Sequence, residues 1–206
     1  RYSEGSYSEM STIKMLTVAG ARPQFVKVAV VSRYLRQNPG AHRIEEVLVH
    51  TGQHYDEMMS DVFFKELEIQ PPRYSLDVGS GSPGQQLAKM MERLEGVIKE
   101  ENPDVTLVYG DTNSTIAAAL VSTHHNIPVV HVEAGERIYR RRDVPEEINR
   151  ILTDHIASLN LTSTRRAGEY LQREGMADRR VRFVGDTMYE LFVWARDNID
   201  RLSNVT

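Results

Sequence analysis

Short apolar runs alternate along this chain with longer stretches whose apolar positions recur at helical spacing. The run KMLTVA predicts a strand over 14–19, the cluster Gly20-Ala21-Arg22-Pro23 a tight turn, and the spacing over 26–35 a helix. A strand over 45–50 and an amphipathic helix over 56–67 follow. Positions 69–82 hold three Pro/Gly-rich clusters without periodicity and read as a long loop, a feature that is usually functional inside a compact domain. The alternation resumes with helices over 87–99, 112–122, 146–157, 165–173 and 188–199, and strands over 104–109, 127–131, 159–162 and 181–184. Parallel strands need crossover connections, so this order predicts a Rossmann-like α/β domain: a parallel sheet with helices on both faces.

Composition narrows the classes. The 206 residues are 40% hydrophobic and 26% charged, enough for one sizeable core. A net charge of -4 gives no reason to expect nucleic acid or an acidic membrane as partner. Cysteine is absent, which excludes disulfides and thiol chemistry and fits a reducing compartment. With no apolar run of membrane-spanning length and no signal-peptide segment, the expected location is the cytoplasm. Residues 1–9 (RYSEGSYSE) are polar and aperiodic and read as a non-native leader before Met10. The Rossmann-like domain is expected over 10–186, with 187–206 a helix leading toward a second domain beyond this chain.

Three strand-to-helix corners carry unusual chemistry: Gly20-Ala21-Arg22-Pro23, Gly110-Asp111-Thr112 and His131-Val132-Glu133-Ala134-Gly135. In a parallel sheet all three come to the carboxyl rim, where ligands bind. Each has a plain structural reading. Asp111 would cap the helix starting near Thr112, and Glu146, after Pro145, would sit at a helix start where the macrodipole favours negative charge. The arginines between Glu133 and Glu146 would be a solvated charge run. Convergence of Asp111, Glu133 and Glu146 is harder to explain as stability, because like charges brought together oppose ionisation. Such a cluster is a candidate acid/base site. No H-E-x-x-H, G-x-G-x-x-G or P-loop spacing occurs, so neither a catalytic metal nor a nicotinamide cofactor is expected. His124 and His125 are expected at their helix's last carbonyls.

The motifs GARPQFVK, TGQHYDEMMSDVFF, VYGDTNST, HVEAG, PEEINRILTDH and VGDTMYE stand in the order seen in non-hydrolysing UDP-N-acetylglucosamine 2-epimerases, and the chain resembles that family from about Met10 to Asn198. It is also similar to the epimerases of UDP-linked diacetamido uronic acids. The resemblance implies the N-terminal half of a GT-B-like two-domain fold, no cofactor, a UDP-sugar substrate and a homodimer in the full-length protein. It implies inversion at C2 by expulsion of UDP, a glycal intermediate and re-addition. Asp111, Glu133 and Glu146 match the family's catalytic carboxylates. Arg22, Gly110, Thr112, Arg137 and Arg150 are expected to meet substrate, and Gln53 and His54 match a pair associated with a second, regulatory UDP-sugar. Glu136 stands where the family has leucine, followed by a segment one residue longer before Pro145. The alternatives are a hydrolysing UDP-sugar 2-epimerase and a non-catalytic UDP-sugar-binding half-domain.

Overall fold

Strand β1 (Thr12–Ala19) is apolar on both sides, and that alone demands cover on both faces of its sheet. Leu16 and Val18 point one way with Val47, Val49 and Val108, against α3 (Pro83–Glu101) and α4 (Asn113–His124). Met15 and Ala19 point the other way with Leu48, Leu107 and Tyr109, against Phe25 and Val28 of α1 (Arg22–Gln37). Each such large side chain, fully buried, contributes about 1.5–3 kcal/mol. The computed structural model describes residues 11–38, 40, 43–52, 61–139 and 143–199.

The other elements are β2 (Arg43–His50), α2 (Asp61–Glu66), β3 (Tyr74–Ser75), β4 (Val105–Tyr109), β5 (Val129–Val132), α5 (Pro145–Ile156), β6 (Leu159–Thr162), α6 (Arg165–Arg173), a 3-10 turn at Asp178–Arg180, β7 (Val181–Phe183) and α7 (Thr187–Asp197). Seven strands run parallel in the order β3-β2-β1-β4-β5-β6-β7. The expected α/β sheet is therefore present. Within the loop expected over 69–82, Tyr74 and Ser75 form a two-residue edge strand on β2, too short to carry a period.

Local chemistry sets the helix limits. Ser82 and Gln85 form a reciprocal capping box at the start of α3, and Asn102 ends it in the left-handed conformation at φ 44°. Helix α4 is apolar nearly all round because it is buried: Ala117, Ala118 and Ala119 let it lie between the sheet, α3 and α5. At its end His125 does not turn to its own carbonyls; its Nε2 lies 3.5 Å from Glu95 of α3. Helix α7 returns to pack on α1, with the Arg33 guanidinium 3.7 Å from the Trp194 ring centroid.

Far from the carboxyl rim, buried Glu101 ties three segments together. It accepts from Tyr74 Oη at 2.6 Å, Lys14 Nζ at 3.1 Å and Arg73 Nη1 at 3.2 Å. The Tyr74 hydrogen bond, helped by Lys14 and Arg73 against the cost of burial, holds its carboxyl below the ordinary glutamate value. A depressed carboxylate contributes stability that is present above its unfolded-state value and lost as pH falls through the folded one. Glu101→Ala should therefore lower stability by about 1–3 kcal/mol near neutral pH. In urea titrations the gap from wild type should narrow below about pH 4; a gap independent of pH would refute the charge-based anchor.

Candidate active site

Because β1, β4 and β5 are adjacent and parallel, the turns after Ala19, Tyr109 and Val132 lie side by side at one rim. The strand order also reverses between β1 and β4, the switch point at which open α/β sheets bind ligands. One buried amide joins two of these turns. Gln24 Oε1 accepts from the N–H groups of Gly20 and Ala21 at 2.8 and 3.1 Å, while its Nε2 donates to the Tyr109 carbonyl at 2.7 Å and to Thr115 Oγ1 at 3.0 Å. Gly20 is obligatory here, since a Cβ would sit 2.0 Å from Thr51 Oγ1 and 2.1 Å from Ser114 Oγ.

The charged groups gather directly above. Gly110 adopts φ 62°, and a Cβ on it would lie 3.4 Å from Glu133 Oε2 and 3.6 Å from Lys27 Nζ. Glu133 itself has φ 68°, unusual for a residue with a side chain. Lys27 pairs with Glu133, and Arg150 pairs with Asp111 on one side and with buried Glu147 at 2.7 Å on the other. Burial pulls the Lys27 ammonium below the ordinary lysine value, against the opposing pull of Asp111 and Asp186. Glu147 also accepts from the Ile138 N–H at 2.9 Å, which pins the segment after β5 to the first turn of α5.

Asp111 is not the helix cap that its position suggested: the N-cap of α4 is Thr112, and the Asp111 side chain turns to Arg150 instead. Asn149 holds this corner by donating to the Asp111 carbonyl at 3.0 Å and to Asn113 Oδ1 at 3.2 Å. Glu146 is exposed one helical turn before Arg150, on the same face of α5. Arg22 is exposed at the first position of α1, on the same rim. Asp111, Glu133, Gly110, Thr112, Arg150, Glu146 and Arg22 thus share one edge of the molecule.

Arg137 does not join them. Its side chain is fully buried behind the rim, where Nη1 donates to Asp154 Oδ2 at 2.6 Å while Nε and Nη2 meet the two oxygens of Glu174 at 2.8 and 2.7 Å. Burial works against its charge, and the Glu174 and Asp154 carboxylates more than offset this and raise its pKa. The expectation that Arg137 meets substrate is corrected accordingly, since its donors are committed to the scaffold.

Lys27 was missed from sequence because it lies inside an apolar helical stretch. A lysine in the stripe of Gln24, Val28 and Ala29 was the available signal, since that stripe faces the sheet. Gln53 and His54 lie outside the described residues. Nearby His50 stacks on Phe25 at 4.9 Å and accepts from the Gly52 N–H at 2.7 Å, and burial lowers its pKa. Among the described residues no three His, Asp or Glu side chains are arranged to hold a metal ion. No described helix is long and apolar enough to cross a membrane.

A family model described as UDP-N-acetylglucosamine 2-epimerase matches residues 36–206. The chain belongs to that family. It is 47% identical over 189 residues to a UDP-N-acetylglucosamine 2-epimerase homolog of Methanococcus maripaludis, covering 92% of this chain and 51% of the relative. It is 44% identical over 180 residues to a UDP-2,3-diacetamido-2,3-dideoxy-D-glucuronate 2-epimerase of Pseudomonas aeruginosa, covering 86% and 50%. A crystal structure of Methanocaldococcus jannaschii UDP-GlcNAc 2-epimerase in complex with UDP-GlcNAc and UDP superposes with a TM-score of 0.82 at 39% identity, over 93% of this chain and 51% of that one. The chain spans about half the length of the relatives it matches.

The buried role of Arg137 has a direct consequence. Arg137→Leu removes the buried cation shared by Asp154 and Glu174 and should cost about 3 kcal/mol or more in chemical denaturation. Unchanged stability would return Arg137 to a solvent-facing role.

Proposed function

We propose that this chain is the N-terminal half of a UDP-N-acetylglucosamine 2-epimerase, or of a closely related UDP-2-acetamido-sugar 2-epimerase. Family membership gives the reading its class. The observation that carries it to particular residues is the pairing of two rim carboxylates with two cations, Asp111 with Arg150 and Glu133 with Lys27, at the switch point of the sheet.

The C2 proton of a UDP-linked 2-acetamido sugar is not adjacent to a carbonyl, so direct abstraction is slow. The route that avoids this breaks the C1–O bond first, with UDP leaving on the electron pair. A base then takes the C2 proton, and the C–H electrons form the C1=C2 bond of a glycal. Re-addition of a UDP phosphate oxygen at C1, with a proton delivered to the opposite face of C2, completes the inversion without net oxidation. Carboxylates near C1 stabilise its cationic character in the transition state, as in glycoside cleavage.

Asp111 is assigned proton transfer at C2. Glu133 and Glu146 are assigned the opposite-face exchange and the stabilisation of C1, and Arg22 the charge that grows on departing diphosphate. Lys27 and Arg150 orient Glu133 and Asp111 and keep the like-charged carboxylates apart. We include in the proposal a cytoplasmic homodimer that supplies 2-acetamido sugars for envelope polysaccharide. The cysteine-free composition supports the compartment, and the exposed Ile148 and Leu152, four residues apart on α5, support self-association.

In the intact protein Asp111→Asn keeps the side-chain shape and removes the titrating group. Turnover of UDP-N-acetylglucosamine should fall by roughly 10²-fold to 10⁴-fold, with solvent deuterium incorporation at C2 falling alongside. Normal exchange in a normally melting variant would sink the assignment, and irreversible release of UDP by the wild type would point to the hydrolysing chemistry instead. Gln53→Ala with His54→Ala should flatten a sigmoidal response to UDP-sugar more than it lowers the maximal rate; an unaltered saturation curve would remove the regulatory assignment.

A further inference from the structure

Behind Asp111 lies a histidine that the reaction scheme above does not use. His131, on β5, is fully buried. Its Nε2 is 2.6 Å from the Gly110 carbonyl oxygen and its Nδ1 is 2.7 Å from Asp154 Oδ1. A carbonyl can only accept, so Nε2 carries a proton. The other ring nitrogen faces a carboxylate whose Oδ2 already accepts from the Gly135 N–H at 3.1 Å and from Arg137 at 2.6 Å. Burial disfavours the Asp154 charge, while His131 and Arg137 together hold its carboxyl below the ordinary aspartate value.

The ring belongs to a continuous run of charged groups. Arg137 after β5, Asp154 on α5 and Glu174 at the end of α6 form one chain of contacts with it, and Glu174 also meets His155 at 3.1 Å.

We propose that His131 is a positioning residue for the reaction: held between Asp154 and the Gly110 carbonyl, it locks the left-handed turn at Gly110 and so aims the Asp111 carboxylate at the rim. The link is short. Gly110 immediately precedes Asp111, its φ of 62° sets the direction in which Asp111 leaves the strand, and its carbonyl is the atom that His131 grips. On the next residue the Asn149 amide holds the Asp111 carbonyl. The His131 and Asn149 bonds therefore hold successive carbonyls, one from inside the sheet and one from α5.

This inference rests on the reading of Asp111 as the proton-transfer group, and its test separates the two. In the 15N-histidine-labelled chain without ligand, long-range proton–nitrogen spectra should show Nε2 of His131 carrying a proton, since the Gly110 carbonyl can only accept. A pyridine-type Nε2 would overturn the proposal, whatever the activity. In the intact protein, His131→Phe removes the Nε2 donor and the contact with Asp154. Its kcat for C2 exchange should fall roughly 10-fold to 100-fold, as expected for a misaimed catalytic group, with KM changed by no more than about twofold. A folded His131→Phe protein with normal kcat would refute the positioning role, and if that variant fails to fold the nitrogen spectrum of the wild type decides. Failure of the epimerase reading would show instead in the Asp111→Asn exchange experiment, which leaves the His131 spectrum untouched.

Discussion

Two turns from strands that are neighbours in space but about ninety residues apart in sequence must be held within a hydrogen bond of each other, and the amide of Gln24 does this with every bond it can form. Its oxygen caps the start of α1 and its nitrogen reaches across to the end of β4. Without that bridge the turns at Gly20 and Gly110 would be set only by their own short loops. With it, the carboxylates and cations that follow them inherit one frame.

That frame explains how a crowded electrostatic site is tolerated. The rim pairs each of two carboxylates with a cation from another element, Lys27 from α1 and Arg150 from α5. One layer deeper, Asp154 contacts His131 and Arg137, and Arg137 reaches on to Glu174. The outer pairs are partly open to solvent. In the inner group the side chains of His131, Arg137 and Asp154 are fully buried and serve as scaffold.

Much of this was legible in the sequence, for reasons specific to each element. The limits of β6 and α6 emerge from apolar spacing alone, because both are short, regular and bounded by polar breaks. The three chemical corners were found because parallel topology obliges every strand-to-helix turn to the same rim. What escaped was information carried by orientation. Lys27 looked like part of a core helix. Arg137 and Arg150 were both expected to meet substrate, yet one is buried in the scaffold and the other reaches Asp111. The capping alternative for Asp111 stayed open because sequence does not reveal that α4 begins at Asn113, with Thr112 in the N-cap position. Side-chain direction in such segments depends on partners from α5 and α6 that local pattern cannot name.

The return of α7 onto α1, sealed by Arg33 against Trp194, also constrains how the chain is made. Helix α1 emerges early from the ribosome with Val28 and Ala29 ready for the sheet, but the surface around Arg33 stays bare until more than 150 further residues have been synthesised. Closing such a distant contact is entropically slow, and the exposed flank is open to non-native pairing in the interval. The nascent chain therefore presents a partly uncovered first helix until the last described helix docks and ends this exposure.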